Sequence, residues 1–368
     1  MATTAGLYIH IPFCAAKCPY CDFYSLSADD TRFHEYTNIV CKTLLNYSKR
    51  LNLRFDTLYF GGGTPSLLGN ENLAKILETV RENFNFSEKE ITLEMNPTTL
   101  PDLDLEKLQK DGINRLSIGV QSAVKSELKV LGRRHSVKDV EHTIKKAQNA
   151  GFKNISLDLM IAIPGQTVMS LKESIAFCAE QNVQHISAYI LKIEQCTPFY
   201  KNKENLQLKT EDEQADMYLT MVSEMEHYGF EQYEISNFAK KNYASKHNLK
   251  YWNSQEYLGI GPSAHSFVNG ERFFYPRSLQ DFLAGKIEPI KDSNGGTIEE
   301  YTMLKLRLCD GISNNDFKSR FGVDVPQSYF RKAKVFQNYG LTAVDRESIR
   351  LTPKGFLLSN KLISEIIF

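Results

Sequence analysis

Tyr8-Ile9-His10-Ile11-Pro12-Phe13-Cys14-Ala15-Ala16-Lys17-Cys18-Pro19-Tyr20-Cys21-Asp22-Phe23 begins as an apolar strand and ends as a short loop that carries three thiols. With three residues between the first pair of cysteines and two between the second, the loop is short enough to turn all three sulfurs inward around one cuboidal cluster. A closed structural zinc site wants four ligands, and no second paired Cys or His motif stands nearby. The spacing alone leaves three readings: an iron-sulfur cube with three protein ligands, a zinc site completed by a distant residue, and three buried cysteines with no common ligand. In the first of these one iron stays open, which marks chemistry or exchangeable ligation.

The chain has seven cysteines, an odd number, and Cys41, Cys178, Cys196 and Cys309 are scattered along it. That is no disulfide framework, and the scattered four are expected to be small buried hydrophobes. A length of 368 residues suits one large α/β domain with an appendage. Lys+Arg and Asp+Glu both number 44, so no overall field draws the protein to nucleic acid or anionic lipid. No basic segment followed by an apolar one opens the chain, and no stretch approaches the ~18 apolar residues of a spanning helix. The expectation is a cytoplasmic protein with at most peripheral membrane contact.

Outward from the thiol loop, short apolar runs alternate with amphipathic windows, the rhythm of repeated βα units on a parallel sheet. Strands are predicted over Gly6 to Phe13, Asp56 to Phe60, Glu90 to Met95, Arg115 to Val120, Asn154 to Ile163 and His185 to Leu191. Asn70 to Asn83, Ser136 to Ala150 and Thr167 to Gln181 carry apolar residues at three- and four-residue steps, as helices covering a sheet do. Right-handed crossovers wind such strands into a full or partial barrel, whose chemistry sits at the C-terminal strand ends, and periodicity alone leaves an open sheet as the alternative. Beyond about Lys291 the pattern changes to short helices at Ile298 to Cys309, Asn315 to Phe321 and Ser328 to Tyr339. A small hairpin over Leu341 to Leu351 and a last helix from Pro353 follow. The boundary is placed between residues 1–290 and 291–368, the second unit being small, mostly helical and of winged-helix shape. Asp310, Asp316 and Asp345 interrupt its basic residues, which argues against nucleic acid as a partner.

Phe60-Gly61-Gly62-Gly63-Thr64-Pro65 ends the second strand, and its glycines let the backbone approach a ligand or simply make a tight turn. Glu94 is a carboxylate in an apolar strand and needs a partner. Gln121, Arg133 and Asp158 lie on or just after strands, where each alone is as readily structural as ligating.

Taken with the glycine turn, the Cys-x3-Cys-x2-Cys motif resembles the signature of the radical S-adenosylmethionine (SAM) superfamily. The order Tyr8 to Cys14, Gly-Gly-Gly-Thr-Pro, Asn114 to Gln121, Leu157-Asp-Leu-Met and Ile163-Pro-Gly-Gln-Thr167 resembles its oxygen-independent coproporphyrinogen III oxidase group through about residue 290. The resemblance implies a partial (β/α)6 TIM-like barrel and a 4Fe-4S cluster on Cys14, Cys18 and Cys21 whose free iron is chelated by SAM. It also implies that Tyr8, Tyr20, Gly62, Gly63, Thr64, Glu94, Gln121, Arg133 and Asp158 contact SAM, and that an electron donor feeds the cluster.

Within that group the oxidases carry another cysteine two places after the third ligand, where this chain has Phe23, and a sizeable arm before the cysteines, where only 13 residues precede Cys14. His247-Asn248-Leu249-Lys250-Tyr251-Trp252 is similar to the HNxxYW motif of the HemW-type heme chaperones. An imidazole can ligate heme iron, and Tyr251 and Trp252 can stack on a porphyrin; a satisfied histidine beside core aromatics is the plainer alternative. The resemblance implies a protein that binds heme and passes it to an acceptor protein. The oxidative decarboxylation of coproporphyrinogen III is the alternative. At Cys196 the group generally has Gly, and the thiol is expected to be a small buried residue.

Overall fold

Along the first six strands apolar and polar residues alternate, so successive side chains face opposite sides of the pleat. The computed structural model describes residues 4–27, 30–97 and 103–368. Strands β1 (Ala5–Ile11), β2 (Arg54–Gly62), β3 (Asn85–Met95), β4 (Arg115–Gln121), β5 (Ile155–Ile161) and β6 (His185–Ile190) pair in chain order, all parallel. On one face stand Leu7, Ile9, Leu58, Phe60, Ile91, Leu93, Leu116, Ile118, Leu157 and Ile186, all buried. At about 1.5–3 kcal/mol for each fully buried large apolar side chain, this layer is the main source of stability. The other face carries Tyr8, His10, Thr57, Tyr59, Glu90, Glu94, Ser117, Asp158, His185 and Ser187, and it forms the polar lining of a curled, open barrel.

Helices α1 (Asp30–Arg50), α2 (Gly69–Asn83), α3 (Leu105–Lys110), α4 (Lys125–Val130), α5 (Val137–Asn149) and α6 (Val168–Glu180) supply the crossovers. Helix α5 shows why these windows fold as predicted. Ser136 caps it by accepting from the Asp139 amide while the Asp139 carboxylate accepts from the Ser136 amide, and Val140, Thr143, Ile144 and Ala147 form its buried stripe. Gly151, just past its end at φ +93°, turns the chain into β5.

After α7 (Pro198–Lys201) and α8 (Glu211–His227), β7 (Glu231–Glu234) and β8 (Asn237–Ala239) extend the sheet antiparallel beyond β6. Helix α9 (Lys246–Trp252) then leads to β9 (Tyr257–Ile260), parallel to β1, followed by β10 (His265–Val268), β11 (Glu271–Phe274), helix α10 (Leu279–Leu283) and β12 (Ile290–Asn294). The twelve strands form one sheet in the order β12-β11-β10-β9-β1-β2-β3-β4-β5-β6-β8-β7. The main sheet therefore runs to Asn294, and the next helix, α11 (Ile298–Lys305), opens the C-terminal unit. There β13 (Ile312–Ser313), α12 (Asn314–Phe321) and α13 (Gln327–Gln337) precede the hairpin of β14 (Thr342–Val344) and β15 (Ser348–Leu351). Helices α14 (Pro353–Leu357) and α15 (Ser359–Ile367) close the chain. This is the expected winged-helix arrangement, docked on the barrel through Ile235 N to Arg307 O at 3.1 Å and Cys309 N to Tyr233 O at 3.0 Å.

Helix α9 is the feature that the βα rhythm does not show. The Glu90 carboxylate accepts from the amides of Lys246 and His247, both at 2.9 Å, so a charge sits on the helix start where the peptide dipole favours it. Lys250 pairs with Asp56 at 2.7 Å, both side chains being largely buried, and donates to the Thr4 carbonyl at 3.0 Å. Since Gly6, Thr57 and Glu90 are neighbours in register, α9 lies across one level of the polar face and plugs the barrel there. Of the scattered cysteines, Cys41 and Cys178 are buried and Cys309 partly so, but Cys196 is exposed. The expectation of a buried thiol there is corrected: Cys196 stands in the turn just before Thr197 caps α7, outside any packed layer.

Candidate cluster and SAM site

The thiol loop leaves β1 and is closed at its base by Leu26, whose amide donates to the Pro12 carbonyl at 2.7 Å while its carbonyl accepts from the Cys14 amide at 3.0 Å. Inside that closure the Cys21 amide donates to the Cys18 carbonyl at 3.2 Å, drawing the last two ligands together. Outside it, the Phe199 amide donates to the Pro19 carbonyl at 2.9 Å. Two neighbours address the sulfurs directly: Thr64 Oγ1 donates to Cys14 Sγ at 3.7 Å and Arg133 Nη1 to Cys18 Sγ at 3.6 Å.

Burial pushes the Cys21 thiol up to about 11, with Cys18 and Cys14 adding to the shift against the pull of the Phe23 backbone and Lys17. Three thiolates on one short loop need a compensating positive charge, which cluster iron would supply. Among the described residues no three His, Cys, Asp or Glu side chains converge as the ligands of a single ion do. None of the three cysteines is in a disulfide. Three free thiols on one short loop are the donor set that a three-ligand iron-sulfur cluster takes.

The glycine turn lies directly beside this loop. Gly63 donates to the Ile11 carbonyl at 2.9 Å and Thr64 to the Phe13 carbonyl at 2.6 Å, continuing the β1–β2 ladder into the cysteine loop. A Cβ on Gly63 would stand 2.4 Å from the Phe13 oxygen, and one on Gly62, at φ +116°, would stand 2.7 Å from the His10 ring. These glycines serve first to let two strand ends close up. Their amides are spent within the protein, since Gly62 N donates to Glu94 Oε2 at 3.1 Å.

Glu94 also accepts from the Tyr59 hydroxyl at 2.8 Å. Burial pushes its carboxyl up to about 7, and Asp158 adds to the rise, while Tyr59, Gly62 and Arg115 oppose it. Burial likewise raises Asp158, against hydrogen bonds from Ser187 and Ser117, the latter at 3.0 Å. Arg133 ties the rim together, its Nη2 donating to Gly119 O at 2.9 Å and Asn96 Oδ1 at 2.5 Å while Nη1 reaches Cys18. Gln121 stands at the end of β4 at φ +69°, and Tyr20 packs near Phe199 with ring centres 6.2 Å apart. Tyr8 is half-buried on β1, its hydroxyl 3.0 Å from His10 Nδ1, and the other His10 nitrogen is 3.0 Å from the Tyr24 carbonyl. The carbonyl can only accept, so His10 is the Nε2–H tautomer. Glu94, Asp158, Arg133, Gly62, Gly63 and Thr64 are thus linked to one another or to the thiols around one rim, with Tyr8 on the adjoining wall.

The His247 to Trp252 group sits differently. His247 is buried in the plug, with Nδ1 2.9 Å from Thr57 Oγ1 and Nε2 2.7 Å from the Tyr251 hydroxyl. Burial, then Lys250 and Arg115, lower it to about 3. Asn248 and Trp252 are half-buried on the same short helix, and Tyr251 reaches the cavity beside the thiol loop. His10, Tyr59, Glu90 and Arg115 complete the lumen and were not singled out from sequence. Alternation could have found two of them, because His10 shares the inward parity of Tyr8 on β1 and Glu90 that of Glu94 on β3.

A three-thiol loop leaving the first strand of such a barrel is the architecture of radical SAM proteins. A family profile described as the radical SAM superfamily matches residues 8–178, and one described as the HemN C-terminal domain matches residues 297–358. The heme chaperone HemW of Bacillus subtilis is 36% identical over 98% of this chain and 98% of its own. The mitochondrial radical S-adenosyl methionine domain-containing protein 1 of Danio rerio is 33% identical over 100% of this chain and 87% of its own. The solved structure of the Escherichia coli coproporphyrinogen III oxidase HemN superposes with a TM-score of 0.82 at 20% identity, covering 99% of this chain and 90% of that one. The chain belongs to the radical SAM superfamily and, within it, to the family of the HemW heme chaperones. Membership implies a 4Fe-4S cluster and SAM. Among the described residues no helix is long and apolar enough to cross a membrane.

Proposed function

We propose that this protein is a cytoplasmic heme chaperone: it takes up heme, holds it beside the SAM site and passes it to an acceptor protein, with an electron donor serving the cluster. The observation that carries the reading is end-to-end similarity, 36% over 98% of both chains, to a relative named as a heme chaperone. Phe23 supports it, because a phenyl ring two places after Cys21 can neither ligate nor transfer a proton.

Cys14, Cys18 and Cys21 would hold the 4Fe-4S cluster, which when bound supplies an electron to the sulfonium of SAM. Thr64 and Arg133 direct hydrogen bonds at two of the sulfurs, and such contacts stabilise thiolate ligands. Glu94 and Asp158 offer carboxylate oxygens to the hydroxyl and ammonium groups of SAM, and Arg133 offers a guanidinium to its carboxylate. Tyr8, Tyr20, Gln121 and the Gly62-Gly63-Thr64 turn complete the proposed contact set. His247, Asn248 and Trp252 act by holding the plug that presents Tyr251.

Hemin titration and a coproporphyrinogen III turnover assay with SAM and reductant, run on one anaerobic sample, test the proposal. A Soret band saturating at one heme per chain without protoporphyrinogen is expected. Turnover by the protein with Phe23 in place would replace the chaperone by the oxidase.

A further inference from the structure

Between the thiol loop and the β9–β10 side of the sheet lies an open cavity of about 280 Å³. Tyr8, Tyr24, Tyr251 and Tyr257 form its walls, and Phe23, His265 and Arg277 also line it. Its volume falls just under the ~300–1,000 Å³ of typical ligand pockets, so a flat macrocycle would be gripped along part of its surface and left open elsewhere. Phe23 is 61% exposed, which is unusual for so large an apolar ring and suits a platform for a planar ligand.

Three imidazoles are close to this space, and their commitments differ. His10 is held on both ring nitrogens by Tyr8 and Tyr24, and His247 by Thr57 and Tyr251. The exposed His265 has no hydrogen-bond partner on either ring nitrogen among the described residues. Its ring is nevertheless fixed in place, stacked on Phe274 with centres 5.3 Å apart and 25° between planes. The turn that delivers it is equally constrained, since a Cβ on Gly259 would meet the His265 carbonyl at 2.1 Å and Ser263 holds φ +71°. Arg277, also exposed, makes no salt bridge among the described residues, and its charge acts on both His10 and His265.

We infer that His265 is an axial ligand to the iron of the carried heme, with Phe23 against the porphyrin face and Arg277 pairing with a propionate. The inference rests on the heme-carrier reading and names the ligand that reading lacks, since a buried imidazole with both nitrogens occupied cannot reach an incoming iron. Iron needs a neutral imidazole. Partial burial lowers the His265 pKa and Arg277 and Arg272 add to this, against the opposing pull of Asp292. A ligand on a strand end at an open cavity also suits a protein that must release its cargo.

The test is titration of the cluster-loaded full-length protein with hemin, followed by the Soret band and by electron paramagnetic resonance. The parent, His265→Ala, His265→Gly with added imidazole and Arg277→Ala are compared, with metal-free protoporphyrin IX as a second probe. His265→Ala should weaken hemin binding by at least about tenfold and abolish the histidine–iron signature, while metal-free protoporphyrin IX binds as it does to the parent. Imidazole should restore the signature in His265→Gly, and Arg277→Ala should weaken both porphyrins alike. Unchanged hemin affinity and signature in His265→Ala would overturn the assignment, as would equal loss of both porphyrins, which would make His265 a shape contact only. If the variants fold poorly, 15N-histidine labelling of the parent decides: no 15N coupling to the bound ferric iron also overturns it. A parent that takes up no stoichiometric hemin sinks the carrier reading itself, a separate result.

Discussion

Replacing Glu94 by Gln removes a charge that the barrel interior disfavours. Because the folded carboxyl is raised from the ordinary 4.5 to about 7, the folded state binds more protons than the unfolded chain between those values. Stability contributed by this group is therefore present at low pH and lost as pH rises through the window. At ~1.4 kcal/mol per tenfold in protonation, the loss between pH 5 and pH 8 is about 2–3 kcal/mol. The glutamine side chain has the same length and can still accept from Tyr59, but its amide cannot accept from Gly62 N, at a constant cost of roughly 1 kcal/mol. His10, His135 and His247 are depressed by burial and pull stability the other way below 6.5, and Glu234 is raised as Glu94 is. Those contributions are common to both proteins and cancel in the difference. Urea unfolding of the SAM-free parent and variant at pH 5 and pH 8 should show the variant gaining about 2–3 kcal/mol on the parent between the two, and SAM affinity should fall. A pH-independent difference would refute the claim that Glu94 is a strained charge.

Gly63→Ala places a methyl 2.4 Å from a backbone oxygen of the thiol loop, an overlap that only movement of the β1 end can relieve. A destabilisation of about 1–3 kcal/mol is expected, with lower iron and sulfide content after anaerobic reconstitution, because the strain falls on the residue before Cys14. His247→Ala strands the Thr57 and Tyr251 hydroxyls and opens a void in the plug, a loss of roughly 3 kcal/mol by urea unfolding. Its folded fraction should keep the parent's ferric-heme signature, and loss of that signature would return the ligand role to His247.

The six parallel strands, the covering helices α2, α5 and α6 and the C-terminal hairpin were legible, because each is written in a local pattern of period two or 3.6. The thiols were legible as a set because their spacing is local too. Helix α9 was not. His247 read as a heme ligand, and Tyr251 and Trp252 as porphyrin-stacking groups, only while the location of residues 246–252 was unknown, and nothing in that segment says that Glu90, 157 residues before His247, holds its first turn. His265 was hidden for the opposite reason: its four-residue strand carries no motif, and its distinction is what it does not touch.

Alternation explains why the lumen tolerates so much buried polarity. Each inward strand position must point at something, and in this barrel many inward groups satisfy one another, Tyr59 with Glu94, Ser117 with Asp158, Ser156 with His185 and Thr57 with His247, while Arg115 Nε and Nη1 and Thr92 Oγ1 stay without a hydrogen-bond partner among the described residues. The plug anchors one level of this network and the cluster loop lies at the strand ends, so Tyr8 and His10 connect the two. Tyr8 rests near Tyr59 on the SAM side, with ring centres 6.1 Å apart, and lines the cavity on the other. One short strand thus gives the proposed SAM and heme sites a common wall. A substitution at Tyr8 should therefore disturb both titrations together, whereas His265→Ala should disturb only the heme.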